Sequence, residues 1–163
     1  MRIQYVHASK FGNGARVAEY FARDMAARGV VVAVDHIKDV DPARMRDADV
    51  YLFSSPGRMG KPIHSMRRFL KNLRLSAGTR YAILTTEMAP RPDKDGRMPT
   101  EEEICRWQRV RPIMNELLGA KGLVQVEESV VYVTDIKGPL EDGWEEKVRA
   151  FATRVCEAME VPA

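Results

Sequence analysis

The sequence predicts an α/β protein built on a parallel sheet with helices on both faces. Apolar runs without a wet face alternate with stretches of helical periodicity, the pattern of strands buried on both sides. A glycine-bearing turn joins the first run directly to the first helical stretch, and a loop rich in proline and glycine follows the third run.

In chain order, the first strand is Arg2 to Ala8, leading into Ser9-Lys10-Phe11-Gly12-Asn13-Gly14. From Ala15 to Arg28, Val17, Phe21 and Met25 recur four residues apart with alanines beside them, which makes one buried helical face. Gly29 supplies its stop. Val30–Val34 and Asp49–Ser55 read as the next two strands, and Asp41-Pro42 between them as the cap and first-turn proline of a short helix. Pro62 is expected to open a helix with the inward stripe Ile63, Met66, Phe69, Leu70 and Leu73, followed by a strand at Arg80–Thr86. A long connection, 87–100, holds three prolines and an Asp-Lys-Asp-Gly turn. Thr100 and Glu103 have capping-box spacing and open a helix through Leu118, which Pro112 kinks or splits. Leu123–Val126 and Val130–Val133 make one bulged or broken fifth strand, or two short ones. Trp144, Val148, Phe151 and Val155 mark a closing helix, and both Trp107 and Trp144 are expected in the core.

The bulk numbers exclude several classes. At 163 residues, with no linker or repeat, one domain spanning 1–163 is expected. No apolar run approaches the ~18 residues a membrane span needs, and the opening strand pattern is not that of a secretory signal. Cys105 and Cys156 lie far apart and the three histidines are scattered, so no metal signature or disulfide pair arises; reduced structural cysteines suit a cytoplasmic location. His7, near the end of the first strand, is expected to be a packed, hydrogen-bonded core residue.

The first loop can bind an anion with backbone alone. Its glycines let N–H groups turn inward, and the following helix aims its unsatisfied donors and positive dipole end at the same spot. Ser9 and Asn13 add side-chain groups, and a phosphate is the natural occupant. In parallel sheets ligands bind beyond the carboxyl ends of the strands, so residues 9–15, 54–62 and 85–100 should meet there.

These loops resemble those of the flavodoxin family, which carries a hydroxyl- and glycine-rich phosphate loop after its first strand and a Ser-Pro loop after its third. The resemblance implies a flavodoxin-like three-layer α/β/α fold with a five-stranded parallel sheet in the order 2-1-3-4-5, binding FMN. It places the phosphate against Ser9, Lys10, Phe11, Gly12, Asn13, Gly14 and Ala15. The flavin ring would rest on Ser55, Pro56, Gly57, Arg58, Met59 and Gly60, and on Thr86, Glu87 and Met88. The implied chemistry is electron or hydride transfer through the flavin, either as a carrier or as an NAD(P)H or quinone oxidoreductase, with no protein acid, base or nucleophile evident. The sequence departs from the family where hydroxyls usually stand, at Phe11 and Gly14. Two lost charge-assisted bonds at ~1.5 kcal/mol each weaken binding roughly 100-fold unless Lys10 or a closer Gly14 N–H compensates. Neither 54–62 nor 85–90 contains an aromatic residue to stack on the ring, which leaves Met59 and Met88.

Two other readings compete. A flavodoxin-like interaction domain that has lost its cofactor would also lack those groups. An NAD(P)-binding Rossmann-type protein would use Gly12-Asn13-Gly14 with Asp35, but Val17 replaces the third glycine. Between Pro56 and Thr86 stand seven basic residues (Arg58, Lys61, Arg67, Arg68, Lys71, Arg74, Arg80) and no acidic one. That face is either a solvated helix surface or a docking site for an acidic redox protein, NAD(P)H or a quinone. Nucleic acid is disfavoured, because no aromatic residues alternate with the basic ones. A homodimer is left open.

Overall fold

The computed structural model describes residues 1–162. Its main sheet contains β1 (Arg2–His7), β2 (Val31–His36), β3 (Val50–Ser54), β6 (Arg80–Met88) and β7 (Val124–Val133). All are parallel, in the spatial order β2-β1-β3-β6-β7. The strands β4 (Gly57–Arg58) and β5 (Lys61–Pro62) form a separate two-stranded hairpin after β3. Setting that hairpin aside, the sheet order is the expected 2-1-3-4-5.

Alternation along the strands divides the core in two. Ile3, Tyr5, Val50, Leu52, Ala82 and Leu84 face α1 (Asn13–Ala27) and α5 (Trp144–Glu160). Val6, Tyr51, Phe53, Tyr81 and Ile83 face α2 (His64–Asn72) and α4 (Val110–Gly119). This is a three-layer α/β/α sandwich. The short α3 (Glu101–Trp107) buries none of its residues.

Most elements form where the periodicity puts them. Helix α1 ends in a Schellman turn, in which Gly29 (φ 78) donates to Ala26 and Val30 to Met25. The stripe Ile63, Met66, Phe69, Leu70 and Leu73 is buried throughout. The fifth sheet strand is continuous with one bulge, its register slipping opposite Tyr81 and Ala82 so that Val126 is the extra residue.

Three expectations need correction. No helix forms at Asp41-Pro42; the Asp41 carboxylate accepts from Ala43 N–H and its carbonyl from Arg44 N–H, closing a turn. Pro62 does not open α2. It closes the hairpin, and Ile63 is the helix N-cap. Trp107 is not core: it is 59% exposed at the end of α3, where the chain breaks before α4, whereas Trp144 is buried. The break falls before Pro112, which takes a first-turn position in α4 where its missing N–H leaves no bond unmade.

Candidate functional site

The loop after β1 keeps the donors an anion needs. Gly12 has φ 94, a conformation glycine adopts without strain, and nothing lies within 4 Å of where a Cβ would stand. Its N–H donates to Ser9 Oγ at 3.1 Å, drawing the loop into a tight turn. Helix α1 begins with no side-chain cap, and its first intrahelical-type bond runs from Arg16 N–H to the Gly12 carbonyl. The backbone N–H groups of Lys10, Phe11, Asn13, Gly14 and Ala15 therefore have no protein acceptor among the described residues. Five unpaired donors at a helix N-terminus are an arrangement that can accept an anion.

The two departures from the family pattern gain physical reasons. A Cβ on Gly14 would stand 3.3 Å from Ser9 Cβ, so the space a larger residue needs is taken by the serine that ties down Gly12. The Phe11 ring is 55% exposed, with Lys137 Nζ 5.7 Å from its centroid, and it does not fill the cradle. The loop after β7 also reaches this site, since Gly138 packs on Asn13 with φ 102, and a Cβ there would stand 3.0 Å from Asn13 Oδ1. Sequence reading missed Lys137 and Gly138, because they follow a strand three places from β1 in the sheet and reach the first loop only as the folded loop crosses over.

The three candidate loops are knitted together by backbone bonds at the carboxyl edge of the sheet. Ala8 N–H donates to the Ser54 carbonyl, Thr86 N–H to the Ser55 carbonyl, and Pro56 bridges to Thr86. Ser55 is buried; its hydroxyl donates to the Pro56 carbonyl and accepts from Ile63 N–H, fixing both ends of the hairpin. Arg58 and Met59 project into solvent, Met59 at 85% exposure with φ 52. Gly60 is buried against the α3–α4 junction, its carbonyl accepting from Arg109 N–H at 2.7 Å.

At the end of β6 the side chains are less available. Glu87 is 1% exposed, receives the Thr85 hydroxyl and pairs with Arg111 Nε at 2.9 Å. Its carboxylate is thus a buried, compensated charge behind Gly57, leaving mainly its backbone toward the loops. Met88 packs against the α1/α5 core, and its carbonyl accepts from Gln108 Nε2. The Trp107 backbone carbonyl packs beside Gly60, and its side chain is exposed.

His7 is buried and hydrogen-bonded, as expected, its Nδ1 accepting Ser9 N–H. Burial is the main reason its pKa is lowered, and neighbouring His36 lowers it further. Two of the seven basic side chains are tied to backbone carbonyls, Arg67 to Pro62 and Arg80 to Val161. Arg58, Lys61, Arg68, Lys71 and Arg74 are exposed and form no ion pair among the described residues. A cleft of about 330 Å³ lies apart from the three loops, between α2 and the 3-10 turn Ile37–Asp39, lined by Lys38, Ser65, Arg68 and Phe69 among others. Cys105 is exposed and Cys156 half-buried, both as free thiols. No helix is long and apolar enough to cross a membrane among the described residues.

Sheet order, layers and phosphate-type loop together define a flavodoxin-like α/β/α fold. Solved structures bear this out. Flavodoxin 2 from Bacillus cereus superposes with TM-score 0.72 at 20% identity, over 96% of this chain and 99% of that one. A flavodoxin of Streptococcus pneumonia TIGR4 gives 0.67 at 20%, over 96% and 99%. The rubredoxin:oxygen oxidoreductase of Desulfovibrio gigas gives 0.66 at 12%, over 98% of this chain but only 36% of that longer one. At such identities the likeness is one of fold. No family model and no curated protein matches the sequence.

Proposed function

We propose that this chain binds FMN and serves as a flavin redox protein. The observation that carries the reading is the set of unpaired N–H groups at Lys10, Phe11, Asn13, Gly14 and Ala15, gathered by the Ser9–Gly12 bond around the start of α1. They suit a phosphate dianion, which fixed backbone dipoles bind without reorganising. The flavin would supply the electron or hydride chemistry; the protein's part is to hold, orient and bias it. Ser9 to Ala15 would hold the phosphate. Ser55 to Gly60 and the backbone at Thr86 to Met88 would bracket the ring, with Met59 and Trp107 as exposed apolar groups flanking it. No side chain is assigned a proton-transfer or nucleophilic role.

Exposed, unpaired Arg58 and Lys61 in the ring loop favour an anionic reduced flavin and a partner of opposite charge. An acidic redox protein or a nicotinamide phosphate fits that charge, and a quinone would be an uncharged acceptor at the ring, in a cytoplasmic setting suited to the free thiols. The cofactor-free reading rests on the absent hydroxyls at positions 11 and 14, and the outward Phe11 and the tight fit at Gly14 weaken it.

Titration of the apoprotein with FMN and with riboflavin, followed by quenching of flavin fluorescence, tests the proposal. FMN is expected to saturate at one equivalent, with riboflavin binding at least 100-fold more weakly. Failure of both to bind would make the chain a scaffold. Equal binding of the two would remove the phosphate cradle from the account.

A further inference from the structure

We propose that His7 and His36 are positioning residues that clamp Ser9 from both sides, making the phosphate loop's grip on its anion depend on the protonation of His7. The ligand's identity rests on the FMN reading; the clamp itself does not.

Ser9 is held at both ends of its backbone. Its N–H donates to His7 Nδ1 at 3.2 Å, and its carbonyl lies 3.0 Å from His36 Nε2. Lys38 N–H in turn donates to His36 Nδ1 at 3.1 Å. That last bond needs a lone pair on Nδ1, so in the neutral ring the His36 proton sits on Nε2 and is given to the Ser9 carbonyl. By the same logic the His7 proton sits on Nε2, leaving Nδ1 to accept. The two rings meet edge to face, centroids 5.1 Å apart. The arrangement is complete only with both rings neutral and in these tautomers.

Protonation acts unequally on the pair. A proton on His7 Nδ1 sets an N–H against the Ser9 N–H, so an acceptor becomes a second donor and the bond is lost. A proton on His36 Nδ1 opposes Lys38 N–H but leaves the bond to the Ser9 carbonyl in place. His7 is therefore the sensitive member. From the elements packed around it, His36 of β2 and Lys38 of the following turn resist its protonation, while Asp35 of β2 and Glu19 of α1 favour it. Burial, the strongest influence, also resists, and the ring stays neutral to below its ordinary value of 6.5.

Ser9 is the loop's organising residue. Its Oγ accepts Gly12 N–H, and Gly12 is the N-cap of α1. Releasing Ser9 thus disturbs the turn that gathers the cradle's donors. A cation on His7 would itself draw an anion closer, but Asp35 and Glu19 offset that charge, and the donors' alignment dominates.

The experiment is an NMR titration of the apoprotein from pH 8 to pH 5, following the imidazoles of His7 and His36 and the amides of Ser9 and Gly12. The FMN dissociation constant is then measured over the same range. Both amides are expected to shift with the His7 midpoint, and FMN binding to weaken at least twofold more between pH 8 and 5 in wild type than in His7→Asn. Asparagine keeps an acceptor near Nδ1 and does not titrate, so the slope shared by both proteins reports the FMN phosphate, whose second pKa is near 6. His36→Gln keeps a donor toward Ser9 and is expected to move the His7 midpoint upward. Ser9 and Gly12 amides indifferent to His7, or an equally steep loss in His7→Asn, would overturn the clamp. Absence of FMN binding in every protein would refute the cofactor reading, and the amide titration would still decide the clamp.

Discussion

Gly60→Ala is the sharpest single perturbation of the hairpin after β3. Gly60 has φ 74, where an alanine is strained by about 1 kcal/mol. Its new Cβ would stand 2.1 Å from the Trp107 carbonyl oxygen, far inside contact distance and against backbone, so the hairpin must shift by about an ångström. That shift breaks the 2.7 Å bond from Arg109 N–H to the Gly60 carbonyl, worth about 1 kcal/mol, and overpacks a buried junction for a further 1–2 kcal/mol. The expected loss is about 3–4 kcal/mol. Gly96→Ala is the control: its φ is 77 but nothing lies within 4 Å of its Cβ site, so only the strain of about 1 kcal/mol applies. Urea unfolding followed by circular dichroism measures both. Equal losses in the two variants would refute the claim that the hairpin is seated on the α3–α4 junction.

Folding stability should depend on pH through His7, whose pKa is lowered in the folded protein. The unfolded chain takes up this proton near 6.5 while the native one does not, so the contribution is complete above 6.5 and is lost as pH falls toward the native value. Urea midpoints at pH 7.5 and 5.5 should differ more in wild type than in His7→Asn. Gly14→Thr places the missing hydroxyl in the loop yet should weaken FMN binding at least fivefold, because its Cβ crowds Ser9 at 3.3 Å; isothermal titration reads the change. Arg58→Ala should lower the flavin reduction potential by roughly 20–40 mV, the range for losing one solvent-screened charge near the ring. Spectroelectrochemistry giving an unchanged or higher potential would contradict that role.

The fold was legible because burial on two faces writes itself into composition: Val50 to Phe53 and Tyr81 to Leu84 have no polar position to mark a wet side. Helix stripes at spacing three and four located α1, α2 and α5 by the same logic. Trp107 has the spacing of a stripe that continues into the next helix, but the chain breaks at Gln108 and Arg109 and leaves the residue in solvent. Asp41-Pro42 carries the same local chemistry for a turn as for a helix start, and tertiary context chose the turn. The glycine-bearing turn ahead of α1 was readable because its chemistry is local, two glycines and a hydroxyl before a helix. The rest was not: the Lys137 contact with Phe11, the Gly60 seat and the hold of His36 on Ser9 join residues distant in sequence, and only the folded chain brings them together.

The most direct test of the account is a map of backbone amide shifts as FMN is added to the protein. The account predicts saturation at one equivalent, with the largest changes at Lys10, Phe11, Asn13, Gly14 and Ala15, the donors that lack a protein acceptor. Amides in that stretch that stay unmoved while FMN binds elsewhere, or that do not respond at any concentration, would contradict it.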